Sequence, residues 1–137
     1  MAPNQTLDRI RKEIIESGRD SRYQLDAYDF VLNGLEFYLT RLGEKRHVSG
    51  QELSQGLLVF AQKQFGPLAQ NVLDKWGVTK TDDFGNIVYN MIEIGIMSKQ
   101  PEDALDHFYD VIHFDTFFKS QPMFEIDREY IRKIKGA

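Results

Sequence analysis

The sequence predicts a mainly α domain with a small C-terminal β-hairpin, winged-helix-like in outline. Three observations carry that reading. Apolar residues recur at helical spacing as far as Gly95. Gly18, Gly43, Gly66, Gly77 and Gly95 stand where successive apolar stretches end, as helix stops do. After them, Phe108-Tyr109-Asp110-Val111-Ile112-His113-Phe114 alternates and is rich in strand formers, so it is expected to pair with Ile96 to Lys99.

The elements follow in order. Leu7, Ile10, Ile14 and Ile15 predict a first helix over about residues 5–17. Leu25, Tyr28, Val31, Leu32, Leu35, Leu39 and Leu42 form the stripe of a second, over about residues 24–42. Gly34 within it costs about 1 kcal/mol relative to alanine. Ser49-Gly50-Gln51-Glu52 matches a capping box, with Val48 and Leu53 as its hydrophobic staple. Gly66-Pro67 ends that third helix and opens a fourth, whose face is Leu68, Val72, Leu73 and Trp76. Thr81 is expected to cap a fifth, with Asp82 and Asp83 suited to the positive end of its dipole. Gly95 followed by Ile96 reads as a Schellman stop with Ile96 against Met91. Leu105, Phe108, Tyr109 and Ile112 also sit at helical spacing behind Pro101-Glu102-Asp103. The hairpin is the preferred of the two readings. Ile126, Tyr130, Ile131 and Ile134 suggest a short terminal helix.

A chain of 137 residues has the length of one domain. The division expected is a helical domain with hairpin over residues 1–118 and a C-terminal extension over 119–137. The absence of cysteine excludes disulfides, thiolate metal sites and cysteine nucleophiles. No apolar run reaches the ~20 residues of a membrane span, and no signal-like apolar stretch opens the chain. A cytoplasmic protein with no membrane partner is expected.

The blocks Glu44-Lys45-Arg46-His47-Val48-Ser49-Gly50-Gln51-Glu52-Leu53, Gln64-Phe65-Gly66-Pro67-Leu68-Ala69 and Trp76-Gly77-Val78 resemble an uncharacterised bacterial family of conserved hypothetical proteins, best known from planctomycetes and verrucomicrobia. Asp83-Phe84-Gly85-Asn86-Ile87-Val88 and Met97-Ser98-Lys99 continue the likeness, which covers about residues 20–118. The resemblance implies a bacterial origin and a family without an established activity. It brings no catalytic residues.

Charge tests the winged-helix outline. Residues 81–118, where such a fold would meet phosphate, carry Lys99 alone against eight carboxylates, a net of −7. Phosphate contacts dominate nucleic-acid affinity, so no duplex DNA is expected on residues 81–118. Arg41, Lys45, Arg46 and His47 form a basic loop that could hold an anion beside the third helix. The bland alternative pairs these cations with neighbouring carboxylates. Asp103, Asp106, His107, Asp110, His113 and Asp115 crowd one stretch, but no compact metal motif orders them. No nucleophile elbow, phosphate loop or dinucleotide fingerprint is present, and neither metal nor cofactor is expected. Phe117, Phe118 and Phe124 come late in a chain whose helices already supply a core. They are read as a partner-binding surface, with a second copy of the chain the simplest partner. The function expected is a non-catalytic protein-interaction module. The alternative is a nucleic-acid-binding or regulatory protein using the loop at 41–47, and a small enzyme or metal-binding protein comes third.

Overall fold

A computed structural model describes residues 3–120. Helix α1 (Pro3–Ile10) runs into a wider π-helical turn over Arg11–Glu16. Then come α2 (Leu25–Leu42), α3 (Gly50–Phe65), α4 (Ala69–Lys75), α5 (Thr81–Glu93) and α6 (Phe114–Ser120). Two 3-10 turns, Gly66–Leu68 and Leu105–Phe108, join the sequence together. The five glycines read as stops all have positive φ. No helix among the described residues is long and apolar enough to cross a membrane.

The core lies where α2, α3 and α5 meet, and α1, α4 and α6 close its sides. Ile10, Ile14, Tyr28, Leu57, Leu58, Leu73, Phe84, Ile87 and Met91 are wholly buried there. Gly34, a weak point by helix propensity, has a packing reason. A Cβ on it would run into the Leu57 side chain and approach Phe60 to 3.1 Å. Gly56 on α3 answers it, since a Cβ there would stand 2.7 Å from the Tyr38 ring. Each helix gives up a side chain so that the two can cross closely.

Helix α3 begins as its sequence predicts. The Ser49 Oγ accepts from the Glu52 N–H at 3.1 Å, and Glu52 Oε1 accepts from the Ser49 N–H at 3.3 Å. The stop at Gly95 also holds, with the Ile96 N–H donating to the Met91 carbonyl at 2.9 Å. Thr81 is not the cap of α5. Lys80 takes the N-cap position with extended backbone, while the Asp83 carboxylate accepts from the N–H groups of Thr79 and Lys80.

The hairpin is overturned: the described residues contain no strand, so the winged-helix outline has no wing. The cause is a set of side-chain acceptors on the first turn of α5. The Asp110 N–H donates to Asp82 Oδ1 at 2.9 Å, and the Val111 N–H donates to Thr81 Oγ1 at 3.1 Å. Backbone donors that a ladder would use are satisfied without one. Phe108, read as a strand residue, instead ends the turn Leu105–Phe108 and buries its ring over Gly50 and Gly85. The expected division at 118/119 falls within α6. The proposed terminal helix lies outside the described residues.

Candidate functional site

One cleft combines an apolar lining with convergent polar groups. It lies between α2, α3, α5 and the chain from Ile96 to Phe108, and has a volume of about 370 Å³. Leu32, Leu35 and Leu39 line it from α2, at the three- and four-residue spacing that puts side chains on one helix face. Val88 and Ile92 contribute from α5, and Ile96 and Met97 from the turn after it. Phe108 lines it too, and two absent side chains make its seat possible. A Cβ on Gly50 would lie 3.0 Å from the ring, and one on Gly85 would lie 2.8 Å from its Cβ and Cγ.

The polar rim is built outward from the cap of α3. Arg46 Nη2 donates to Glu52 Oε2 at 2.7 Å and Nη1 donates to Oε1 at 3.2 Å, while Nε reaches Glu44 at 3.1 Å. The Tyr38 hydroxyl adds a bond to Glu52 at 3.1 Å. Arg46, followed by the Ser49 N–H, holds the Glu52 carboxyl at about 2, well below the usual range. Arg46 also donates to the His47 carbonyl at 2.9 Å, which fixes the backbone just before the cap. From that position His47 Nε2 meets Asp103 Oδ1 at 2.7 Å, across 56 residues of sequence. The Gln100 N–H occupies the other carboxylate oxygen at 2.8 Å. Burial works to raise Asp103, but the Gln100 N–H and His47 outweigh it and leave the carboxyl below its ordinary value.

Two further polar groups belong here. His107 lines the cleft beside Phe108. Tyr89 lines it from α5, and its hydroxyl is sealed from solvent with no hydrogen-bond partner among the described residues. Burial, then the nearby Asp103 and Asp106, pushes that phenol above its ordinary value.

Of the residues read from sequence as an anion site, Arg46 and His47 meet at the rim of the cleft, while Arg41 and Lys45 do not line it. Arg46 is engaged by two carboxylates, and His47 by a third. Arg41 lies over the Phe37 ring, 5.4 Å from its centroid. Lys45 lies on the adjoining groove along α2, with Glu36 and Glu44. Of the residues read as a partner surface, Phe117 and Phe118 are half-buried on α6. Their ring centroids are 5.1 Å apart, and Phe118 is edge-on to Phe114. Phe124 lies outside the described residues. The crowded stretch of histidines and carboxylates disperses. His107 enters the cleft, His113 meets Asp110 at 3.1 Å on the exposed surface, and Asp115 accepts from Gln70 at 2.6 Å.

No protein-family model, curated protein or solved structure matches the chain. The resemblance drawn from residues 20–118 brought no catalytic residue with it, so a functional reading rests on the cleft. Sequence reasoning named His47 but missed its contact with Asp103 and the Tyr89 that shares the cleft. The only local signal was the leucine triplet at positions 32, 35 and 39, read as core, which reaches beyond the core into the cleft.

Proposed function

We propose that this chain is a non-catalytic binding protein whose cleft holds a small, mostly apolar organic molecule. The observation that carries this is the pairing of an apolar lining with a polar rim in a cleft of about 370 Å³. Ligand sites commonly span roughly 300–1,000 Å³ and combine apolar walls with a few placed polar groups. At ~30 Å³ per water-sized group, this one suits a ligand of about a dozen non-hydrogen atoms. Binding is favoured over catalysis because Arg46 and His47 are each engaged by carboxylates. His47 Nε2 bonds Asp103, and Arg46 is neutralised by Glu44 and Glu52.

The test is a fragment screen by heteronuclear NMR on the full chain. Apolar fragments should shift amides of α2, α5 and residues 96–108. Leu35→Trp, which fills the cleft from a half-buried position, should abolish those shifts while the helical spectrum persists. Shifts confined to other surfaces, or unchanged in Leu35→Trp, would remove the reading.

A second reading, the protein-interaction module, is favoured by a different observation. Leu68 and Tyr109 are large apolar side chains that are 58% and 48% exposed. Self-association in sedimentation velocity, weakened by Leu68→Ser or Tyr109→Ser, supports that reading. A monomer at every concentration, unaffected by either change, counts against a homodimer.

A further inference from the structure

A second pocket, on the opposite side of α2, has a different chemistry. It lies between α2, the end of α3 and the residue that closes α4, with a volume of about 260 Å³. Four aromatic rings form its base and walls. Phe30 and Phe60 are buried with centroids 5.2 Å apart. Phe65 and Trp76 are half-buried and stand nearly perpendicular, at 81° and 5.6 Å. Phe30 touches both, at 6.2 Å and 5.6 Å.

The rim above these rings is acidic. Asp26, Asp29 and Asn33 recur at three- and four-residue spacing along α2, so one helix face carries all three. Among the described residues, no lysine or arginine lines the pocket and no salt bridge involves either carboxylate. Asp26 lies in the first turn of α2, where the helix dipole alone accounts for a carboxylate. Asp29 lies a turn further on, where that account fades. It is half-buried at the edge of an aromatic surface, a poor place for an uncompensated charge.

Aromatic faces carry negative potential, and perpendicular rings with a nearby carboxylate favour a cation that has an apolar shell. A hydrated metal ion or a lysine ammonium offers no such shell; a quaternary ammonium does. We infer that the pocket formed by Phe30, Phe60, Phe65 and Trp76 under Asp26 and Asp29 binds a small quaternary ammonium molecule. The inference is independent of the cleft around His47, which involves none of these residues.

Trp76 is the only tryptophan in the chain, so its fluorescence reports on this pocket alone. The full chain is titrated with choline and, in a parallel arm, with the uncharged isostere 3,3-dimethylbutan-1-ol. Saturable change with choline is expected, with the neutral compound binding about tenfold more weakly, as a cation–π contribution of this kind implies. Asp29→Asn, which changes charge without changing shape, should weaken choline several-fold and leave the circular dichroism intact. Equal binding of the neutral isostere would make the pocket merely apolar and overturn the inference. So would choline affinity unchanged in Asp29→Asn, or no saturable response.

Discussion

Asp83 is a buried carboxylate that accepts four hydrogen bonds, and Asp83→Ala should be among the costliest single changes. Its Oδ1 accepts from the Tyr23 hydroxyl at 2.5 Å. Its Oδ2 accepts from the Thr79 and Lys80 N–H groups at 2.9 and 3.2 Å, and from Thr79 Oγ1 at 3.3 Å. Losing the helix-end acceptor costs about 1 kcal/mol, as for other N-terminal caps. Tyr23 is 2% exposed, so its hydroxyl would be left as a buried donor without an acceptor, at roughly 1–3 kcal/mol. The Asn86 amide still donates to that oxygen at 2.9 Å but cannot accept from it. The total is about 2–4 kcal/mol, a large share of the ~5–15 kcal/mol that holds a typical domain folded. Urea denaturation followed by circular dichroism should show a lower midpoint at unchanged slope. A double-mutant cycle of Tyr23→Phe with Asp83→Asn isolates the hydroxyl–carboxylate bond and should give a coupling of about 1 kcal/mol or more. A loss under ~0.5 kcal/mol in Asp83→Ala, with strictly additive partners in the cycle, would refute the reasoning.

Two further predictions concern acid stability and the cap of α3. Arg22 leads in holding the Asp20 carboxyl at about 2 against an ordinary 3.8; burial opposes it, and the Asn90 amide assists. A carboxyl depressed in the folded state contributes its stability above the unfolded value and loses it as pH falls through the folded one. Asp20→Asn should therefore cost about 1–2 kcal/mol at neutral pH, a figure reduced because Arg22 is largely exposed, and the deficit should vanish between about pH 4 and 2. Thermal melts across that range measure it, and a deficit that persists at the acid end would contradict the assignment. Ser49→Ala should cost about 1 kcal/mol by chemical denaturation. No measurable change would mean that the Arg46–Glu52 pair alone holds the helix start.

Much of the helical frame was legible in the sequence because its signals are local. The glycine stops and the Ser49–Glu52 box depend only on residues within a turn of each other. The errors came where a local pattern had a distant cause. Alternation from Phe108 to Phe114 looked like a strand, but Phe108 answers to Gly50 and Gly85, 58 and 23 positions earlier. Thr81 had the chemistry of a cap, yet its hydroxyl serves the Val111 N–H, while a carboxylate three residues downstream of the true cap does the capping. The cleft was the least legible part. His47 was visible as a loop histidine, but nothing near it in sequence points to Asp103 or to the sealed hydroxyl of Tyr89.

The chain from Ile96 to His113 crosses the face of α3 and α5 with no ladder to anchor it. Its tertiary attachments include the His47–Asp103 contact, the ring of Phe108 on two glycines, the amides of Asp110 and Val111 on side-chain oxygens, and the packing of Ile96, Met97 and Ile112 against the core. A segment held in this way can lift as a cooperative unit while the helices beneath stay formed, a sub-global opening in the sense of native-state hydrogen exchange. Protection of the Asp110 and Val111 amides then measures the free energy of that opening. Asp103, His107 and Phe108 line one wall of the cleft, so the same event would widen it. Where exchange outpaces reclosing, the same amides report the rate at which the segment lifts.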